Sequence, residues 1–504
     1  NTNTSVPESV RNNYNGQARM WRARFYFEKL KTYGEVPWID KVFNSPEDPD
    51  LYNGRDTRDV IIGHIIDDLD YAIENISVVV PTDNANYINR WTAALLKSRV
   101  CLFEASWRRY HANDELDIAR TGCTKYSAED LYKLAAEAAK MVMDCGYYKI
   151  YNGTSYANGR GSYRQLFISD AAVKDEVMLS IQCDLTLGMG DQNWYYNSPS
   201  YGSQLSMTRK FMMTYLNIDG TPYSVLDENG THKDFKAETT GRDLRLNQTI
   251  RCADYTCKNA QGEFEPTTFD RSLSLSGFQY TKYVMDDVKY NGGKTNDNDI
   301  PVMRYAEVLL NYAEAKAELG TLTDEEWAAT IGELRKRAGI TGGTPATGTL
   351  TAKPTAAEPY IASYYPGVTN PVILEIRRER AIELCLEGFR MTDLKRWACV
   401  DLWAADPWEG IYISKYNVPI DLNGDGVNDV CFHTSTNAPT AYKNIGFYVG
   451  TGKSNKIQTV AAPGGGYYLK NTVAGREWPV RQYLDPIPEI VRQKNPNLTQ
   501  NPGW

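Results

Sequence analysis

Residues 375–397 read EIRRERAIELCLEGFRMTDLKRW, and this run limits the fold more than any other part of the chain. It holds five arginines in twenty-three residues, with glutamates at Glu375, Glu379, Glu383 and Glu387. On a helix turning about 100° per residue, Ile373, Leu374, Ile376, Ala381, Ile382, Leu384, Cys385 and Phe389 share one broad arc, and the four glutamates drift along the opposite side. Arg377 and Arg378 nevertheless fall inside the apolar arc. A guanidinium there has to meet carboxylates or helix-end carbonyls, because an unpaired buried charge costs several kcal/mol. The run therefore predicts a buried ionic clasp between helices in preference to a ligand site, with Gly388 breaking the helix before FRMTDLKRW.

Five other segments carry helical stripes. RARFYFEKLKTYG aligns Ala23, Tyr26, Phe27 and Leu30 and stops at Gly34. VIIGHIIDDLDYAIENI aligns Ile62, Ile65, Ile66, Leu69, Ile73 and Ile76, and WTAALLKSRVCLFEASW aligns Ala94, Leu95, Ser98, Cys101, Leu102 and Ala105. LYKLAAEAAKMVMDCG supplies Leu131, Leu134, Ala135, Ala138 and Val142; RYAEVLLNYAEAKAELG supplies Ala306, Leu309, Leu310, Ala313 and Ala317. Small residues in such stripes let helix axes approach closely, as in a degenerate tetratricopeptide-like array, although the strict signature of about 34 residues is missing. The expected fold is mainly α. A single helical scaffold, mainly 20–150, 300–340 and 371–400, carries long irregular insertions at 150–300, 341–370 and 400–475, and loops of such length are usually functional.

Several function classes are excluded or unsupported. The net charge of −8 disfavours nucleic acid as a partner. No run of eighteen apolar residues is present, so no helix is expected to span a membrane. The opening NTNTSVPESVRNNYNG is polar and does not read as a signal peptide, so any export signal is expected to have been removed or to lie outside this sequence. Nine cysteines lack metal-type spacing; only Cys252 and Cys257 are near neighbours, as a disulfide or as two thiols. His64, His111, His232 and His433 are scattered, without H-E-x-x-H, G-x-S-x-G or a dinucleotide fingerprint. GFYVGTGKS and NGGKT each miss the phosphate-loop pattern and read as turns. No catalytic residue is assigned, although a glycosidase carboxylate pair would meet only in the fold.

The chain has 35 Tyr and 11 Trp against 13 Phe. A pyranose offers C–H groups on one face and hydroxyls on its rim, so it stacks on Trp or Tyr and bonds to neighbouring amides. GMGDQNWYYNSPSYGS, 188–203, provides both, with Trp194, Tyr195 and Tyr196 flanked by Gln192, Asn193, Asn197 and Tyr201. A second ligand-binding candidate is DLWAADPWEGIY, with Trp403 and Trp408. In either stretch the rings could instead pin a loop to the helices. DLNGDGVND, 421–429, puts Asp421, Asn423 and Asp425 at positions 1, 3 and 5 of a calcium loop, with Val427 and Asp429 following. Position 12 is Phe432 and not Glu, which leaves a reduced Ca2+ site or an Asx-rich turn.

The run at 375–397 also resembles the signature of the SusD/RagB family, surface lipoproteins of Bacteroidetes-type bacteria. YGEVPWI, RDVIIGHIIDDLDYAI, NDIPVMRYAEVLLNYAEA, IGELRKRAGI and the closing YLDPIPEIVRQKNPNLTQNPGW resemble further family segments in the same order, from near residue 20 to Trp504. Family members have an additional N-terminal segment starting with a lipidated cysteine; this sequence does not include it, so membrane association is expected through an anchor outside it. The resemblance implies a SusD-like scaffold that requires no cofactor and does no catalysis. Such a protein captures an oligosaccharide, or a peptide, as a lid over a SusC-type TonB-dependent barrel on the extracellular face of the outer membrane. The helices would hold the scaffold and the partner face while the loops choose the ligand. A glycoside hydrolase and a tetratricopeptide-like adaptor are the alternatives.

Overall fold

The structure, a computed structural model, describes residues 5–78, 85–116, 125–190, 205–268, 274–292, 295–435, 437, 440–449, 458–462, 464–469 and 476–504. Four helices open the chain: α1 (Glu8–Tyr33), α2 (Arg58–Asn75), α3 (Arg90–Tyr110) and α4 (Ala128–Met143). Each starts and stops where its residues dictate. Thr57, Asn89 and Ser127 accept N–H bonds at the starts of α2, α3 and α4, each cap worth about 1 kcal/mol. Gly34, at φ 73°, ends α1.

The expected stripes form the core. Ala23, Phe27 and Leu30 of α1 meet Ile62, Ile65, Ile66 and Leu69 of α2, and Ala94, Leu95, Cys101 and Ala105 continue the same cluster on α3. Neighbours in sequence are neighbours in space: α1 packs on α2, α2 on α3 and α3 on α4. Helix α5 (Tyr305–Glu318) then inserts against α3 and α4 with nearly every side chain buried. The fold is mainly α, as expected. No described helix is long and apolar enough to cross a membrane.

Helix α6 (Pro371–Glu383) holds the ionic run and packs on α5. Asn370 caps it and Pro371 opens it; Leu386 (φ 64°) and Gly388 (φ 81°) turn the chain before α7 (Arg390–Arg396). The clasp is present. Glu375 and Glu379 bind Arg335 at 2.8 and 2.7 Å, and Glu379 also binds Arg245 at 2.9 Å. Glu383 meets Arg245 (3.1 Å), Arg304 (2.6 Å) and Arg337. Arg304 stands at the end of strand β2 (Ile300–Arg304), which pairs antiparallel with β1 (Val177–Ile181), and Glu176 just before β1 binds Arg304 and Arg337 at 2.9 Å.

Two details differ from expectation. The glutamates do not face away from the core: Glu375, Glu379 and Glu383 are wholly buried, because arginines from three other segments close over that side of α6. Arg377, placed in the apolar arc, meets no carboxylate among the described residues. Its guanidinium lies 4.4 Å from the Trp397 ring centre and 4.7 Å from that of Tyr110, with Nε and Nη2 unpartnered.

The insertions build a second core from Met207, Tyr215, Phe235, Phe278, Ile411, Phe432 and Tyr468. They are less irregular than their composition suggests. Tyr412–Ile413, Gln458–Ala462 and Gly465–Leu469 form one three-stranded sheet, and Pro419–Ile420, Val430–His433 and Gly446–Tyr448 another. The stretch after 457, expected to be loop, is an antiparallel hairpin turning at Gly464 (φ 78°); its glycines dilute the two-residue alternation that marks a strand. Cys252 and Cys257 are both buried thiols.

Candidate functional site

A cavity of about 410 Å³ opens where the turn between α6 and α7 meets residues 206–211 and 402–408. Its walls are Phe211, Tyr280, Tyr364, Trp403 and Trp408, and its polar groups are Ser206, Thr208, Arg390 and Asp406. Aliphatic side chains such as Leu386, Met391 and Leu394 complete the lining, and few polar groups on mainly apolar walls is the usual make-up of a small-ligand site.

The two tryptophans are arranged from below. Asp406 accepts the Trp408 backbone N–H at 2.7 Å and the Thr208 hydroxyl at 2.8 Å, which fixes the turn. Trp408 adopts φ 54° and Leu386 φ 64°, a left-handed backbone that costs roughly 1–2 kcal/mol per non-glycine residue. Both line this cavity, and strain of that kind gathers at functional sites. The Trp403 ring lies 5.7 Å from Trp408 at 56° and 6.0 Å from Trp478 at 88°. Trp403 is 41% exposed, so a ring face is open to a ligand. The Arg476 guanidinium covers Trp408 at 3.6 Å from the ring centre. Burial raises the Asp406 carboxyl above its usual range, against the Trp408 N–H and Thr208 bonds that favour its charge. Burial likewise raises Glu409, with Arg209 opposing.

Trp403 and Trp408 are thus brought together at one cavity. Gln192, Asn193, Trp194, Tyr195, Tyr196 and Tyr201 lie outside the described residues. Sequence reasoning missed Tyr364, Tyr280, Arg390 and Asp406, which arrive from four separate segments. Arg390 carried a signal: it follows Gly388 at the head of a new helix, outside the glutamate spacing of α6.

A further cavity, of about 360 Å³, lies between α1, α3 and the start of α7. Arg380 and Arg396 edge it, but their guanidiniums are committed to Asp393 at 2.9 Å and, for Arg396, to Glu314. They act as scaffold.

In the 421–429 loop, Asp421 accepts the N–H groups of Gly424 (2.6 Å) and Gly426 (2.8 Å), and Asp425 that of Val427 (2.8 Å). Asn423 accepts the Asp425 N–H at 3.0 Å, and Asp429 binds Leu422 N–H and the Thr268 hydroxyl. Burial opposes the charge of Asp421, and these N–H donors still hold its carboxyl below the ordinary value. Among the described residues no group of three or more His, Cys, Asp or Glu is placed to hold a metal ion. These hydrogen bonds are those of an Asx-rich turn.

Comparison with known proteins bears on the whole chain. The model of the SusD family matches residues 150–504. A SusD-like protein of Formosa agariphila is 23% identical over 106 residues, 21% of this chain and 20% of that protein, so the match spans about a fifth of the relative's length. A SusD-like protein from Bacteroides fragilis has a TM-score of 0.64 at 20% identity, covering 99% of this chain and 81% of its own. A SusD-like carbohydrate binding protein from the same organism has a TM-score of 0.61 at 20% identity, with coverage of 98% and 81%. A structure solved with a xylogluco-oligosaccharide has a TM-score of 0.59 at 16% identity, with coverage of 98% and 82%. These structural likenesses are likenesses of fold.

Proposed function

The chain belongs to the SusD family, and from that membership and the two-tryptophan cavity we propose that it is a non-catalytic cell-surface protein that captures oligosaccharides. In this reading it delivers them as a lid to a SusC-type TonB-dependent barrel, held at the outer membrane by a lipid anchor outside this sequence. The observation that carries the reading is the cavity lined by Trp403, Trp408 and Tyr364, an aromatic surface with Trp403 exposed that suits the C–H face of a sugar. That one relative is described as carbohydrate binding and another was solved with a xylogluco-oligosaccharide supports the ligand class.

Affinity electrophoresis against a glycan panel tests it. Wild type should be retarded by at least one glycan, and Trp403→Ala with Trp408→Ala should abolish retardation. A triple replacement of Trp194, Tyr195 and Tyr196 by alanine, run beside it, measures the share of the 188–203 loop. Unchanged migration of the double variant would remove this cavity from the reading. New reducing ends after incubation with the retained glycan would make the protein a hydrolase instead, and retention of peptides only would replace the sugar by a peptide.

A further inference from the structure

The same cavity is short of negative charge, and that bears on which sugar it takes. Arg390 lines it and donates only to the hydroxyls of Tyr365 (2.8 Å) and Tyr364 (3.1 Å); no carboxylate pairs with it among the described residues. Arg378, Arg380 and Arg396 each bind an acid, and Arg377, the other arginine of the run without one among the described residues, is enclosed by the Tyr110 and Trp397 rings away from this cavity's lining. Arg476, lying on Trp408, gives one N–H to the Asp406 carbonyl at 2.5 Å, and its buried Nε and Nη1 have no partner. Lys210 sits 5.2 Å from the centre of the Tyr364 ring and forms no ion pair among the described residues. The nearby carboxylates are Asp406, which acts on Lys210 and Arg476, and Glu409, which acts with Arg209. The Asp406 oxygens already accept from Thr208 and Trp408, and Glu409 lies beside Arg209. A positive surplus here, in a chain of net charge −8, is a local arrangement and not a reflection of composition.

We propose that the ligand is an acidic oligosaccharide, with its carboxylate taken by Arg390 and Arg476 while its ring lies against the tryptophans. The inference rests on the cavity being the sugar site. A neutral sugar would leave the Arg390 charge without a carboxylate and give the Arg476 Nε and Nη1 donors no charged acceptor. A uronate would supply charge-assisted hydrogen bonds, which are roughly twice as strong as neutral ones, inside a partly desolvated site.

The test is calorimetric titration of the full chain with uronate-containing oligosaccharides, each paired with its carboxyl-reduced neutral counterpart. The acidic member should bind wild type about tenfold tighter or more, and Arg476→Gln should erase that preference. Arg390→Lys, which keeps the charge but loses the planar fork, should weaken the acidic member more than its neutral counterpart. Should Arg390→Lys fail to fold, Arg476→Gln, on a half-buried stack, still decides the matter. Equal affinity for the neutral counterparts, or an acid preference untouched by Arg476→Gln, would overturn the proposal and leave the oligosaccharide reading standing. A folded wild-type chain that binds no saccharide of either kind would remove both.

Discussion

At Glu383 a carboxylate without solvent contact meets Arg245, Arg304 and Arg337, and burial alone would push its proton affinity up. The three guanidiniums overcome burial and hold the group well below the usual carboxylate range. A buried cluster of this kind contributes little net stability, yet deleting one member strands the rest. Glu383→Gln keeps the shape and removes the charge, so it should lower stability by about 3–5 kcal/mol, seen as a reduced urea midpoint at unchanged slope. Arg377 makes the opposite case. It has an aromatic cage and no acid among the described residues, so Arg377→Leu trades cation–π contact for relief of desolvation and should change stability by less than about 1.5 kcal/mol. Equal losses in the two variants would show that ion pairing does not distinguish them. The spacing of charges in residues 375–397 made the clasp legible. It could not reveal the cage around Arg377, because Tyr110 comes from a different helix far away in sequence.

The helices were legible because each stripe repeats over several turns, and Ala23, Phe27, Ile65 and Leu95 are buried where the period puts them. The hairpin at 458–469 was not, since Gly465 and Gly466 interrupt its pattern. Nor was the cavity, whose walls share no local spacing. Close approaches of one element to another are equally silent in sequence, and Gly332 is one. It closes a π-helical turn, Ala328–Gly332, and a Cβ there would stand 2.1 Å from the Leu350 carbonyl oxygen, a backbone atom that cannot swing aside. Gly332→Ala should therefore cost about 1–3 kcal/mol, as overpacking does. Gly292, with nothing within 4 Å of its would-be Cβ, is the control: Gly292→Ala should be neutral or stabilise by about 0.4–1 kcal/mol through the unfolded chain. Thermal melts of the pair settle it, and a Gly332→Ala as stable as wild type would mean that Leu350 moves freely.

Across the whole molecule the clasp ties the two cores together. Glu379 and Glu383 reach Arg245, and Glu387 reaches Lys282 at 2.7 Å, so α6 and the turn after it are bonded into the insertions as well as to the scaffold. Glu104, Glu314, Glu379, Glu383 and Glu387 are all opposed by burial yet held below their ordinary value of 4.5 by cationic partners; Glu375 alone of this set of glutamates is raised, by burial. A carboxyl with a lowered pKa in the folded state contributes stability that is fully present above its unfolded value and is lost as pH falls toward the folded one. The melting temperature should therefore stay nearly level from about pH 7 to about pH 5 and drop steadily below about pH 4.5. Because Glu379, Glu383 and Glu387 join both cores, helical far-UV signal and tryptophan fluorescence should be lost together, in one acid transition. If fluorescence from the Trp403 region collapses at a higher pH than the helices, the insertions fold as a separate unit and the clasp does not unite them.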